Sequence, residues 1–467
     1  MSLAIHWFRR DLRLNDNSAL FAAARAHESI LPVYILSRWK KNHRWTGPLR
    51  QQFLCNALSS LDQNLRKIGS SLTLRQGNAA EELEKLLIET QATALYANRD
   101  PDPFGRLTEE KLAQITQRLG VSLHLFKDTA LHERDEVLTG SGTSFKVFTP
   151  YSRAWSKLPK PAPVGNLQRL SSPQASSLPL PTLATWDLSL PPSVTLPEAS
   201  EAAAQKRLSN FLDSSIHRYA ERRDLPGVEG TSRLSQDLRF GLISIRTVYR
   251  EAEKRFEKTT VQERRSIQTF LNELCWREFY FQVLWHAPHV LEHEFSEPFR
   301  GLPWERHPEH FEKWGLGQTG FPIVDAGMRE LLATGFMHNR VRMIVAMFLT
   351  KDLHLDWRQG EQWFMQHLLD GEIASNNGGW QWSAGTGTDA APYFRIQNPW
   401  TQSERFDPEA LYIRRWIPEL ANVPAQRLHS PPAPGLRLAP GYSLPMLDHA
   451  RERERALAIY KTHLGRP

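Results

Sequence analysis

The sequence predicts an α/β region built on a parallel sheet, then a long connector, then a wholly helical region. Three observations carry this expectation. Over residues 1–130, short apolar runs of strand character alternate with amphipathic helical patterns, and such alternation is most simply satisfied by a parallel sheet with helices on both faces. Between residues 159 and 200 the periodicity is lost and nine of the chain's 31 prolines gather. From Glu201 onward almost every pattern repeats with helical spacing. The expected divisions are therefore 1–130, 131–200 and 201–467.

Strands are expected at 4–8 (AIHWF), 31–36 (LPVYIL), 71–75 (SLTLR), 94–98 (ALYAN) and 121–126 (VSLHLF). Helical patterns lie between most of them, at 48–68, 79–90 and 106–119. Pro48 sits where a first-turn proline is tolerated, and Gly69 and Gly120 sit where helices stop. The alternation is Rossmann-like, but no G-x-G-x-x-G follows the first strand, so a conventional dinucleotide site is not expected there. The proline- and serine-rich connector should lie over the surface. Beyond it, helices are expected at 201–219, 244–256, 261–286, 308–314, 322–334, 338–350, 359–368 and 449–463. A helical region of this size can bury a cofactor.

The chain has 467 residues, 40% hydrophobic and 23% charged, as in a soluble globular protein. No run of 18 apolar residues suggests a membrane span, and the N-terminal apolar run is too short and too charged for a signal peptide. Cys55 and Cys275 are the only cysteines, which argues against a disulfide framework and suits the cytoplasm. No metal is indicated. The net charge of +7 is compatible with a polyanionic partner. However, residues 1–200 hold 24 Lys and Arg against 18 Asp and Glu, and the remainder 34 against 33. Nucleic acid bound to the second half would have to be held by local clustering.

Four groups of residues carry candidate chemistry. The stretch Asp370-Gly371-Glu372-Ile373-Ala374-Ser375-Asn376-Asn377-Gly378-Gly379-Trp380-Gln381-Trp382 combines two acids, two amides, two glycines and two indoles. It reads either as a ligand loop or as a helix-ending loop with core aromatics. Gly230-Thr231-Ser232-Arg233-Leu234-Ser235 offers donors to an anion such as a diphosphate, or is a plain turn. Glu273, Trp276, Arg277 and Tyr280 recur at i, i+3, i+4 and i+7 of one helix and share a face. That face suits binding, although Glu and Arg also pair on solvated surfaces. Asn339 and Met343 share a face of a later helix, from which Arg342 can pair with Asp370 or Glu372. Trp304, Trp357 and Trp380 are isolated indoles, each of which reads as core packing unless the fold aligns them.

At this point a likeness emerges. WFRRDLRLNDN (7–17), EGTSRLS (229–235), LNELCWREFY (271–280), TGFPIVDAGMREL (319–331), MHNRVRM (337–343), FLTKDLHLDWRQGE (348–361) and NNGGWQWSAGTGTDAAPYFRIQNP (376–399) together resemble the photolyase/cryptochrome family, closest to its class I branch that repairs cyclobutane pyrimidine dimers. The resemblance implies a helical domain that binds one FAD, active as FADH−, and light-driven repair of dimers in DNA by electron transfer to a flipped-out dimer. By motif, Tyr219, Thr231, Ser232, Arg233, Leu234 and Ser235 would hold the ribityl–diphosphate part. Arg342, Asp370, Gly371 and Glu372 would surround the flavin ring and adenosine, and Asn376 would face flavin N5. Glu273 would bond the dimer's bases. Trp276, Tyr280 and Trp382 would form the aromatic side of the lesion site, and Asn339 and Met343 would complete it. Trp380, Trp357 and Trp304 would relay electrons to the flavin, and Arg223, Arg277 and Arg340 would hold the DNA backbone.

The residue types agree with such chemistry. A dimer stacks less well than intact bases and is cheaper to extrude, which is a source of selectivity. Asn339 and Met343 stand where (6-4) photolyases carry a histidine pair, and Asn376 stands where plant cryptochromes carry Asp. Glu372 departs from the Asp of many relatives. A second, antenna chromophore is expected. NRDPDPFGR (98–106) and Arg239 resemble the 8-hydroxy-5-deazaflavin binders, whereas His43 and Glu109 keep a methenyltetrahydrofolate type open. Competing possibilities are a cryptochrome-type blue-light receptor and a generic flavin electron-transfer protein. The chain lacks the long polar tail of signalling members, and a monomer is expected.

Overall fold

The computed structural model describes residues 2–40 and 43–465. Five strands, β1 (Leu3–Phe8), β2 (Ser29–Leu36), β3 (Thr73–Gln76), β4 (Ala94–Asn98) and β5 (Ser122–Phe126), form one sheet in the order β3-β2-β1-β4-β5. Every pairing is parallel, with Ile5 opposite Leu31 on one side and Leu95 on the other. β1 is buried on both faces. Ala4 and Phe8 pack with helices Ser18–Ala26 and Pro48–Lys67, while Ile5 and Trp7 pack with Ala79–Thr90 and Pro103–Leu119. The order reverses between β1 and β4, and such a switch opens a crevice at the carboxyl ends of the strands.

The expected strands and the three expected helices of this region are present, shifted by up to three residues at their ends. Helices that were not expected include Ser18–Ala26, Phe148–Lys157, Ser235–Phe240, Ile373–Ala384, Pro399–Phe406, Leu411–Trp416 and Ala425–Leu428. Asn17 caps Ser18–Ala26 by accepting from Leu20 N at 3.1 Å. Ile373–Ala384 was expected as a loop because Asn and Gly are poor helix formers; packing overrides that preference here. The 201–219 pattern breaks after Ser214, and the 338–350 pattern runs as Asn339–Met347 followed by a π-helical turn, Phe348–Asp352.

The connector does lie over the surface, but it is pinned. Ile30 N–H bonds Ser171 O at 2.9 Å and Leu178 N–H bonds Leu74 O at 2.9 Å, and Trp155 and Trp186 are buried. The sheet and helical regions are joined by buried charges. Asp128 accepts from Arg13 at 2.7 and 2.8 Å and from Arg246 at 2.7 Å, and Arg246 also meets Asp16. The Glu278 carboxylate accepts from the backbone of Leu131, from His132 N at 3.1 Å and from Trp155 Nε1 at 2.6 Å.

In the helical region the Val261–His286 helix lies against Phe148–Lys157 and Ile373–Ala384, and Arg277 on it reaches Thr129 O at the end of the sheet region. Helices Pro322–Thr334, Asn339–Met347 and Trp357–His367 contribute to a second core. The helix His449–His463 clamps this core: His449 Nδ1 lies 2.5 Å from Asp352, Glu452 lies 2.9 Å from His354, and Tyr460 donates to Ala384 O at 2.7 Å. Buried Lys351 donates to the same carbonyl at 2.8 Å, beneath the Tyr460 ring. Among the described residues no helix is long and apolar enough to cross a membrane.

Candidate active site

The site begins where two helices touch. A Cβ on Gly378 would lie 2.1 Å from the Tyr280 ring. The helix bearing Asn376 and Trp382 therefore lies directly against the helix bearing Glu273 and Trp276. Glu273 is paired with Arg223. Burial pushes its carboxyl above the usual range against that partner, so it keeps a proton more readily than an exposed Glu. Trp276 is partly exposed and Tyr280 leans on it at 5.8 Å. Asn339 is exposed, and Met343 and Trp382 are partly exposed.

Arg277 does not share this placement. Its guanidinium donates to Thr129 O at 2.6 Å and lies over Phe281. Burial and nearby Arg10 lower its pKa to about 9. The face expected from spacing is thus split, because Arg277 sits on its edge nearest the sheet region and turns to the carbonyls there. Arg340 pairs with Asp224 at 2.9 Å and covers Phe406.

Among the residues expected to hold the flavin, Arg342 chooses Asp370, at 2.9 and 3.2 Å, and also donates to Met337 O at 2.8 Å. Glu372 turns the other way and pairs with Arg10 of the sheet region. The Gly371 carbonyl between them accepts from Arg50 at 2.8 Å and Arg239 at 3.0 Å, and a Cβ on Gly371 would strike Arg50. Asn376 donates its amide to Glu361 O at 3.0 Å, and Asn377 donates to Glu361 Oε1 at 2.9 Å. Burial raises the Glu361 carboxyl to about 7. Tyr219 is buried edge-on to Phe211 and Phe270. Leu234 is buried and Arg233 takes left-handed backbone with φ 53°. The helix Ser235–Phe240 that follows Thr231 and Ser232 has no side-chain cap.

These residues fit a flavin. With the Asn376 nitrogen committed to Glu361, the amide oxygen is left to accept from a ring N–H. The uncapped turn at 231–235 leaves backbone N–H groups for phosphate oxygens.

The indoles form a graded series. Trp380 and Trp357 are buried and Trp304 is partly exposed. Trp380 presses on Gly360, where a Cβ would lie 2.1 Å from the indole, one turn from Trp357 on the same helix. Glu305 bridges to Leu355, which brings Trp304 beside the start of that helix. Trp357 Nε1 donates to Glu294 at 3.2 Å. Sequence reasoning missed Trp314, 6.1 Å from Trp380, and also Arg10, Arg50 and Glu361. No local spacing marks any of them.

A cavity of about 390 Å³ opens at the carboxyl ends of β1 and β2. Arg10, Arg50 and Arg239 line it, with Trp39, Trp45 and Trp186. Burial, together with mutual repulsion among the arginines, lowers Arg50 to about 9 and Arg239 to about 10. His43 is on the lining, whereas Glu109 is engaged by Arg9 at 2.5 Å.

Comparison with known proteins decides the family. The profile described as DNA photolyase matches residues 4–167, and that described as FAD binding domain of DNA photolyase matches residues 270–462. A deoxyribodipyrimidine photo-lyase of Halobacterium salinarum is 39% identical over 99% of this chain and 100% of its own. The chain belongs to the DNA photolyase family. Its helical region is a photolyase FAD-binding domain. Among solved photolyases, a bacterial class III photolyase from Agrobacterium tumefaciens superposes with TM-score 0.91 at 38% identity, covering 99% of this chain and 98% of its own. An archaeal photolyase from Sulfolobus tokodaii with two FAD molecules superposes with TM-score 0.85 at 33% identity, covering 98% and 100%.

Proposed function

We propose that the protein repairs cyclobutane pyrimidine dimers in DNA in a light-driven reaction, as a cytoplasmic monomer. The observation that carries this is the Tyr280–Gly378 contact, which seats the flavin-facing helix against the lesion-facing helix. The fold's part in such chemistry is to position the cofactor against the substrate, and this contact sets the two helices that would do so side by side. When bound, reduced FAD supplies the light-driven electron that opens the cyclobutane ring and takes it back.

The chain's own residues do the rest. Arg342 and Asp370 hold each other rigid beside the ring. Asn376 offers its amide oxygen toward flavin N5, oriented by Glu361. Trp276 and Trp382 give the extruded dimer flat apolar walls, and Asn339 and Met343 close the pocket. Glu273, its carboxyl raised by burial, hydrogen-bonds the base edge and can keep its proton there. Arg223 and Arg340 lie nearby to meet backbone phosphates. Trp380, Trp357 and Trp304 run from the buried interior to the partly exposed surface, as a route for re-reducing the cofactor would.

The cavity beside β1 and β2 suits a second chromophore. Arg10 is balanced by Asp100 and Glu372, but Arg50 and Arg239 are held only through carbonyls, so the lining suits an anionic group and its tryptophans a flat ring. With Glu109 tied to Arg9, a flavin or deazaflavin type is favoured over a folate. The spectrum of chromophore released on denaturation tests this.

The main test is to irradiate FAD-loaded, reduced protein with an oligonucleotide containing one thymine dimer, using near-UV or blue light. The expected result is loss of the dimer in the light and none in the dark. Equal dimer content in both arms overturns the proposal.

A further inference from the structure

Trp276 stands on a helix through two rotatable torsions and is partly exposed. An indole so placed would sample several orientations unless a neighbour held it. Phe148 lies flat against it, with ring centroids 3.6 Å apart and planes 7° from parallel. Free aromatic pairs prefer offset or edge-to-face contact, so this alignment is imposed by the surroundings.

Those surroundings are well defined. Phe148 meets the buried Phe279 edge-on at 5.8 Å. Its backbone N–H bonds Asp389 Oδ2 at 3.2 Å, and the Lys146 carbonyl accepts from the Thr388 hydroxyl. Residues 388–389 follow the helix that carries Trp382. The backbone that carries the ring behind one aromatic wall is therefore bonded to the turn that follows the other.

We infer that Phe148 is a positioning residue that fixes the plane of the Trp276 indole before the dimer arrives. This rests on the proposed repair reaction, in which Trp276 stacks on the lesion. Ordering a side chain before binding removes that cost from the binding step. The connector, which otherwise carries no chemistry, thereby acts on lesion selectivity.

The test measures dark binding of FAD-loaded protein to a dimer-containing oligonucleotide and to its undamaged counterpart. Phe148→Ala should weaken dimer binding about 3- to 10-fold and leave undamaged DNA unchanged. Phe148→Tyr, which keeps the flat ring, should restore affinity. In a Trp276→Ala background, Phe148→Ala should have no further effect. Unchanged or tighter dimer binding by Phe148→Ala would show that the ring occupies the lesion's seat instead of supporting its platform, and would overturn the inference. An equal loss in the Trp276→Ala background would overturn it as well. If Phe148→Ala does not fold, Phe148→Leu keeps apolar bulk without the flat ring and gives the same readout. If the unmodified protein does not distinguish dimer from undamaged DNA, the repair reaction itself is wrong and the inference falls with it. A selective unmodified protein with an indifferent Phe148→Ala removes the inference alone.

Discussion

At the scale of the residue, Glu361 shows how a single buried acid sets a pH dependence. Its carboxyl is lifted from the ordinary range to about 7 by burial. Between those values the folded chain holds a proton that the unfolded chain releases, so stability is full at low pH and falls as pH rises. The loss by pH 8 is about 3 kcal/mol. Glu361→Gln should reduce this slope: the stability lost between pH 5 and pH 8, read by denaturation, should be smaller than in the unmodified protein, with the remainder left to other buried carboxyls such as Asp102, Asp237 and Asp352. A second prediction concerns Trp304. Trp304→Phe should block photoreduction of oxidised flavin, followed by absorbance under blue light, and spare repair by chemically reduced protein. Loss of both activities would contradict a relay role. Glu273 and Trp276 could be marked from spacing because both stand on one helical stripe. Glu361 could not, since its significance lies in an amide 16 positions away in the chain. Glu372 shows the converse limit. Its charge was evident in the sequence, but its partner, Arg10, belongs to the other end of the chain.

At the scale of the element, the helix Ile373–Ala384 is the instructive case. Its glycines and asparagines oppose a helix by propensity, yet the two glycines are not equivalent. Gly378 faces Tyr280, whereas nothing lies within 4 Å of a Cβ on Gly379. Gly378→Ala should therefore destabilise by about 1–3 kcal/mol through overpacking. Gly379→Ala should be neutral or stabilising by up to about 1 kcal/mol through helix propensity. Denaturant titration of the two variants checks both signs, and equal effects would refute the packing account. The periodicity of the apolar residues could place the Val261–His286 helix, because its pattern runs long enough to be unambiguous. It could not place this helix, because what folds it is an aromatic ring from another element.

At the scale of the whole molecule, the alternating sheet region was predictable because each strand and helix announces itself locally. The joint between the regions was not. WFRRDLRLNDN stood out as a family likeness without a physical role. The structure gives it one, since Arg13 and Asp16 enter the buried charge cluster with Asp128 and Arg246. Asp128→Asn would leave two buried guanidiniums without a full counter-charge and should cost about 3–5 kcal/mol. Denaturation should show this loss, and limited proteolysis should show faster cleavage between the regions. An unchanged protease pattern with unchanged stability would mean that the cluster does not hold them together. The clamp on Ala384 has a consequence for the order of assembly. Lys351 and the end of the Ile373–Ala384 helix find their cover in Tyr460, more than 70 residues further along. A chain emerging from its amino end folds the sheet from local pieces early, but leaves Lys351 and the Ala384 carbonyl uncovered until that distant helix arrives. That end of the Ile373–Ala384 helix is therefore expected to be completed last in biosynthesis, after the sheet has formed.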